Sequence, residues 1–525
     1  MMAETAVRGN TKWLTLLLLW PTLAHAQDLP EEVTQAESVP DPGPTLFTGA
    51  WTAVLGLDTQ ADAAGEDLAI LRNRLDLEVR HPLTEKLRVK IAARLWHRMS
   101  AARQEQPGWA LDVNGHFADF GLRYDQFAEL REAYLQWNLG PGQLTAGRDI
   151  VQWGALELQS PWRIWNPVDF SQGLLGALNP DDTPLLADWL VRWSQPLGPG
   201  TLEAIFQPFF TEHRFSPFAT DTAMVRPDVG PAVPQALFAQ LRHLDLRLDR
   251  SLGDSLTLAL KPPPDTPLAG SLGARWLTHL NAWDVGVQAI FNWDRVPILH
   301  FDPNIATLLG KLASVGFDQS KQIAMLGDPE YQAAQAAVQA SGKGPLDLAT
   351  ADWQRRLTLG GQWSVEVAED WTLRGDVAWA PKVGNALGRV VFTDKFEPLV
   401  TSMLLTGLGV EWLHGENLAV VLEATYQWAM DVPAGQPLFL MARHQVVVAG
   451  GAQWKFGEGE AWSLQAGGMY GISLGDWAAL PRIAWIFADN WKLGLGAAFT
   501  GGPLLSPGGL YRTDDQILID LRRAF

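Results

Sequence analysis

Residues 127–171 read FAELREAYLQWNLGPGQLTAGRDIVQWGALELQSPWRIWNPVDFS. Ala133, Leu135, Trp137 and Leu139 alternate with Glu132, Tyr134, Gln136 and Asn138, so one face of the stretch is apolar and the other polar. A period of two is that of a strand. Gly140-Pro141-Gly142 reverses the chain, and a second strand, 144–152, carries Arg148 and runs into Trp153-Gly154. A long polar and aromatic segment follows, holding Trp162, Trp165, Asn166, Pro167 and Asp169. Tight turn, two alternating strands and a long loop make up the repeating unit of an outer-membrane β-barrel.

The unit recurs on both sides. Toward the N-terminus, 46–58, 68–80 and 87–99 alternate; Leu75, Leu77 and Val79 face one way, and Arg72, Arg74, Asp76, Glu78 and Arg80 the other. Across the next turn Val89, Ile91 and Leu95 oppose Arg88, Lys90 and Arg94. Toward the C-terminus the strands are 186–195, 200–209, 269–280, 283–294, 354–367, 371–380, 402–412, 417–428, 442–456, 460–471, 478–488, 490–500 and 515–525. The fold class is therefore all-β, an antiparallel transmembrane barrel of about 18 strands occupying residues 46–525. Connection lengths sort as such a barrel requires. Links after even strands are tight turns, and links after odd strands include 100–127, 153–185, 210–268, 295–353 and 381–401. One further hairpin is conceivable at 241–260 and another at 109–125. Within 295–353, Asp302-Pro303 and Asp328-Pro329-Glu330 open two helical runs closed by Gly316 and Gly342, a capping Asp before Pro being a helix-start signal.

Composition agrees. The chain has 525 residues, 25 Trp against 6 Tyr, and no Cys, which excludes disulfides, thiol catalysis and Cys-based metal sites. Indole rings collect at membrane interfaces, and Trp137, Trp283, Trp371, Trp412, Trp454, Trp462 and Trp491 fall beside the tight turns. A mean hydropathy of -0.02 is too low for a helical membrane protein, but a barrel wall alternates and averages near zero. The formal net charge of -18 disfavours a nucleic-acid partner. At the N-terminus, basic Arg8 and Lys12, the apolar run 13–20 and Ala24-His25-Ala26 form a signal peptide over residues 1–26. An acidic, Pro-rich periplasmic leader, 27–45, follows. The expected location is the outer membrane of a Gram-negative cell, with lipid against the outer face. A soluble periplasmic β-protein is the competing reading.

With each strand's polar face turned inward, the pore-lining candidates are Arg72, Arg74, Arg80, Arg88, Lys90, Arg94, Glu132, Arg148, Arg192, Arg275, Arg356 and Arg374. The inner wall then leans basic although the chain is acidic. Rings of Arg and Lys favour anions in a narrow pore; charges paired across strands would set no selectivity. The constriction is expected from Trp162, Trp165, Asn166 and Asp169, because so aromatic a loop suits the barrel mouth better than open solvent. No H-E-x-x-H and no G-x-S-x-G occurs, so no enzyme, metal or cofactor is expected.

Gly147-Arg148-Asp149-Ile150-Val151-Gln152-Trp153-Gly154, followed by Asn166-Pro167-Val168-Asp169, resembles the GRQ-x-x-x-WG … NP-x-D signature of a large group of proteobacterial outer-membrane barrels, a family of unknown function with alginate-export barrels as looser relatives. Leu130–Leu135, Gly273–Trp276 and Asp294-Arg295-Val296-Pro297 fit it too; Asp149 stands where the family usually has Gln. The resemblance implies a monomeric barrel moving a hydrophobic, amphiphilic or polymeric solute. The last strand, with Ile517, Ile519 and Leu521 before a terminal Phe525, resembles the signal read by the barrel-assembly machinery, the expected protein partner. The function expected is a porin-like channel; the alternative is a surface barrel, an adhesin or scaffold, whose loops bind a partner.

Overall fold

The computed structural model describes residues 44–525 apart from 60–67, 101–122, 170–183, 212, 214–265, 267–268, 296–297, 312–318, 342–348, 394–397, 511–514 and a few single or paired loop residues. The expected signal peptide, nearly all of the leader, the possible hairpin at 241–260 and the cap at Asp302-Pro303 lie outside the described residues.

Eighteen strands form one sheet. They are β1 Leu46–Asp58, β2 Leu68–Thr84, β3 Leu87–Ser100, β4 Arg123–Leu139, β5 Gly142–Asp149, β6 Asp188–Leu197, β7 Gly200–Gln207, β8 Ser271–Leu280 and β9 Trp283–Trp293. They continue as β10 Arg355–Ala368, β11 Trp371–Ala380, β12 Met403–His414, β13 Leu418–Ala429, β14 His444–Phe456, β15 Trp462–Gly471, β16 Asp476–Ala488, β17 Trp491–Gly501 and β18 Gln516–Ala524. Each pairs antiparallel with its chain neighbours, and β1 closes on β18 from Ala50↔Ala524 to Asp58↔Gln516. Phe525 completes the seam: its N–H donates to Gly49 O and its O accepts from Gly49 N, both at 2.9 Å. Closure leaves the sheet without an open edge, so that apart from a few bulges the strands pair on both sides, which is what lets a sheet cross a bilayer. Among the described residues no helix is long and apolar enough to do so.

The two faces differ as the alternation requires. On β1, Ala50, Thr52 and Val54 are buried toward the lumen, and Trp51, Ala53 and Leu55 lie on the other side. Outward residues expose large apolar area: Val287 57 %, Leu408 61 % and Leu422 50 %. Such a surface, continuous around a closed sheet, is the apolar outer band of an outer-membrane barrel. Near the tight turns the outer rings form a chain of contacts. Trp454 meets Phe456 at 4.8 Å, Trp462 stacks on Trp485 at 5.4 Å, and Phe487 leads to Trp491 and Trp51 at 6.2 and 6.4 Å. Trp371 stacks on Trp412 at 5.7 Å further round. This girdle marks one interface of the bilayer, and the whole is the architecture of an outer-membrane barrel.

The tight turns use left-handed residues where the chain reverses; Asn281 and Asn490 sit at φ 58° and 65°, a conformation Asn tolerates. Several bounds differ from the sequence reading. β2 runs to Thr84 and β4 begins at Arg123, so both stand taller than expected, and β5 stops at Asp149 instead of 152. A bulge at Arg131, opposite Ala92/Ala93, brings both Glu129 and Glu132 onto the lumen side. Two small ribbons, Ile298–Phe301 with Ala349–Asp352 and Arg389–Phe392 with Pro398–Thr401, were not expected. Helix α2, Pro329–Ser341, starts as the sequence predicts, with Asp328 Oδ1 accepting from Glu330 N at 2.8 Å and Tyr331 N at 3.1 Å. It is preceded by an unpredicted helix α1, Gln319–Leu326, and both leave most of their side chains exposed.

Candidate functional site

After β5 the chain turns into the barrel. Residues 150–169 place Trp153, Leu156, Leu158, Trp162 and Trp165 at 2 % exposure or less. The base of this segment is tied to the strands that flank it. Asn166 is the staple: its Nδ2 donates to Asp149 O at 2.9 Å and Leu186 O at 3.0 Å, and its Oδ1 accepts from Val151 N at 2.7 Å. One amide thus serves both ends of the segment, a geometry Asp could not supply because a carboxylate only accepts. Asp169 is buried, and its N–H donates to Pro184 O at 2.7 Å. Trp165 packs edge-on against Trp153 at 5.2 Å, within an apolar cluster completed by Val151, Trp162, Leu190, Ile205, Ile290 and Ala378.

Arg295 holds this base from the far side. Its guanidinium donates to Asp188 Oδ2 at 3.0 Å and Gln207 Oε1 at 3.2 Å, and also to the carbonyls of Trp165 and Thr211. Asp188 is 1 % exposed and also accepts from Gln207 Nε2 at 2.7 Å and Thr211 Oγ1 at 2.8 Å. Four groups remote in sequence meet at one fork, a task for which the planar guanidinium is suited. Nearby, His213 Nδ1 accepts from Val168 N at 2.9 Å. Burial first, then the Arg295 charge, push this imidazole down to about 3, so it is neutral and free to accept.

The tip of the segment reaches the opposite wall. Gly154 N donates to Gln362 Oε1 on β10 at 3.0 Å, Ala155 N and Leu156 N donate to Asp376 on β11 at 2.9 and 3.2 Å, and Leu158 N and Gln159 N donate to Glu423 on β13 at 3.0 and 2.8 Å. Gly154 has φ 105°, and a Cβ there would lie 2.8 Å from Asp376 Oδ2. Glycine is thus required both by the backbone and by the close approach. Gly407 and Gly409 on β12 open the socket for Leu156; a Cβ at either would lie 2.5 or 2.9 Å from its methyls.

The charged inner wall lies on β2–β4. Arg74 and Arg94 share Asp76, each at 2.6 Å. Lys90 reaches Glu132 at 2.7 Å and Glu78 at 3.5 Å, and Arg80, at the exposed short-turn end, reaches Glu78 at 2.5 Å. Arg72 is 3 % exposed on the same face, and Arg88 shares the register of Gln136 on it. Elsewhere Arg192 pairs with Asp149 at 3.1 Å, Arg275 with Glu203 at 3.3 Å, Arg356 with Asp294 at 3.5 Å, and Arg374 with Glu157 and Glu411. Among the described residues the inward basic side chains are therefore largely counter-charged across strands, and they gather on adjacent strands at β2–β4 and again at β16–β18, where Arg482 pairs with Asp520 at 2.9 Å and Lys492 stands opposite Arg522.

One expectation is corrected. Arg148 does not line the lumen: the register opposes it to Ala133 and Trp189, both on the outward face, and its Nη2 donates to Ala187 O at 3.0 Å. The inward neighbour is Asp149, 4 % exposed. Reading β5 as far as 152 concealed this, because the polar face was assigned from Arg148 and not from Thr145 and Asp149. Sequence reasoning also missed Asp188, Arg295, Asp376 and Glu423 as loop anchors. The signal for the last two was present, Glu423 as an isolated acid on an otherwise neutral predicted strand and Asp376 beside Arg374 on another, but nothing along the chain says what they meet.

No protein-family model and no curated protein matches the chain. Among solved structures, Salmonella typhi OmpF in complex with daunomycin aligns at 8 % identity over 92 % of this chain and 97 % of its own, with a TM-score of 0.36. Acinetobacter baumannii OccAB3 aligns at 8 % identity over 92 % and 99 %, TM-score 0.43. Pseudomonas aeruginosa OccK11 (OpdR) aligns at 8 % identity over 93 % and 98 %, TM-score 0.44. The closed 18-stranded barrel stands on its own hydrogen-bond register, and these distant overlays add nothing to it.

Proposed function

We propose that this chain is a porin-like channel of the Gram-negative outer membrane that passes an anionic or amphiphilic solute through a lumen constricted by segment 150–169. One observation carries the reading. Arg72, Arg74, Lys90 and Arg94 share the lumen face of β2 and β3, while the inward segment hydrogen-bonds to β10, β11 and β13. A solute crossing beside that segment is steered to the basic wall, where fixed cations lower the barrier to an anion. Asp76, Glu78, Glu129 and Glu132 temper this field, and the six basic side chains of the face, Arg72, Arg74, Arg80, Arg88, Lys90 and Arg94, outnumber these four acids.

Reversal potentials of the purified protein in planar bilayers under a salt gradient test the reading. The unaltered channel is expected to prefer anions. Lys90→Glu together with Arg88→Glu is expected to shift the reversal potential toward cation selectivity, and Lys90→Gln with Arg88→Gln to shift it part of the way. Unchanged selectivity in folded, heat-modifiable variants would remove the anion path.

A further inference from the structure

The tip and the base of the inward segment are held in different ways. The base is bound near its own neighbours, β5 and β6, by Asn166, which donates to Asp149 O and Leu186 O, and by Gln207 and Arg295, which donate to Trp165 O. The tip, Gly154–Ser160, takes no part in any strand pairing. Its successive N–H groups are met by wall side chains, chiefly two carboxylates: Asp376 takes Ala155 and Leu156, and Glu423 takes Glu157, Leu158 and Gln159. Water could satisfy the same donors, so docking here is not demanded by backbone pairing, as it is in a strand. Leu158 fills an apolar socket of inward residues that includes Val54, Val421, Val447, Met469 and Leu518, at 0 % exposure. A lumen face is ordinarily polar; here the apolar patch lies where the tip lands. Gly154, at φ 105°, bounds the tip on one side and Pro161 on the other.

We infer that Gly154–Ser160 is a latch: docked on Asp376 and Glu423 it closes the lumen on the β13–β18 side, and released it opens that side, while the base stays fixed. The latch is the regulation of the channel proposed above and rests on that reading for its consequence, though not for its movement. Glu423 is the main catch. A carboxylate there presents two acceptors to three donors, whereas an amide keeps one acceptor and turns an NH2 toward the others.

The chain has no cysteine, so a single introduced thiol reports one position. In folded protein in liposomes, Leu158→Cys is expected to react slowly with a membrane-impermeant thiol reagent. Adding Glu423→Gln is expected to raise the rate about 10- to 100-fold, the loss of charge-assisted hydrogen bonds to a buried group; Asp376→Asn serves if that variant does not fold. Equal rates in all folded backgrounds overturn the latch and make the tip a fixed part of the wall. Conductance is read separately with Leu156→Cys and Gly407→Cys together. An ideal Cβ at Gly407 lies 2.5 Å from Leu156 Cδ1, so side chains at the two positions face each other across the tip–wall contact. Oxidation is expected to lower conductance several-fold and reductant to restore it; an oxidised pair that conducts like the reduced one also overturns the latch. Labelling that responds to Glu423→Gln, in protein that conducts in no state, retains the movement and refutes the channel.

Discussion

Replacing Arg295 with Ala is the sharpest test of how the inward segment is held. The guanidinium serves Asp188, Gln207 and the carbonyls of Trp165 and Thr211, and both members of the Arg295–Asp188 pair are almost fully buried. Removing one partner of a buried pair typically costs about 3–5 kcal/mol, because the other charge is left without compensation. Asp188 keeps the donors of Gln207, Thr211 and the Trp189 N–H, which places the expectation at the lower end, about 3 kcal/mol. The loss falls on the opening of the segment and not on the sheet, since Arg295 lies beyond β9 and adds no rung to it. At about 1.4 kcal/mol for each factor of ten, amide hydrogen exchange of 162–169 should accelerate roughly 100-fold, with strand amides of β2–β4 unchanged. Arg295→Lys keeps the charge without the fork and should fall between. Exchange within twofold of the unaltered protein in a folded Arg295→Ala variant would refute the anchoring role.

Two further outcomes are expected. His213 accepts from Val168 N only when neutral, and its folded value of about 3 lies below the unfolded value of 6.5. Its contribution is therefore complete above pH 6.5 and is lost as pH falls from there toward 3. Exchange of the Val168 region should accelerate up to roughly 100-fold at pH 4.5, and His213→Gln, whose amide oxygen still accepts, should flatten that dependence. On the lipid face, Val287 is 57 % exposed near mid-height of β9; Val287→Arg should lower unfolding stability in liposomes by about 2–4 kcal/mol, with Val287→Leu close to neutral, and equal stabilities would mean that this face does not meet lipid.

Much of the fold is legible along the chain because a strand's two faces are written in adjacent residues. Leu75, Leu77 and Val79 against Arg74, Asp76 and Glu78 fix a strand and its two sides without reference to anything distant. Eighteen such stretches, with tight turns after every even one, leave closure as the way to pair all backbone groups. Asp328 before Pro329 likewise announces a helix whose cap is local. What the tertiary structure alone decided is whatever depends on opposite walls meeting. The side to which Arg148 points depends on where β5 ends and on its register with Ala133 and Trp189. The bulge at Arg131 puts Glu129 on the lumen side against strict alternation, because one extra residue resets the parity of the strand. Gly154, Asn166 and Arg295 stand out in sequence as parts of short motifs, but Asn166 and Arg295 hold the base of a segment whose tip, from Gly154 on, meets acids 200 or more residues away, Asp376 and Glu423, at distances set by the closed barrel. Alternation is a local property and survives in the sequence; contact across a lumen is a property of closure and appears only once the sheet has met itself.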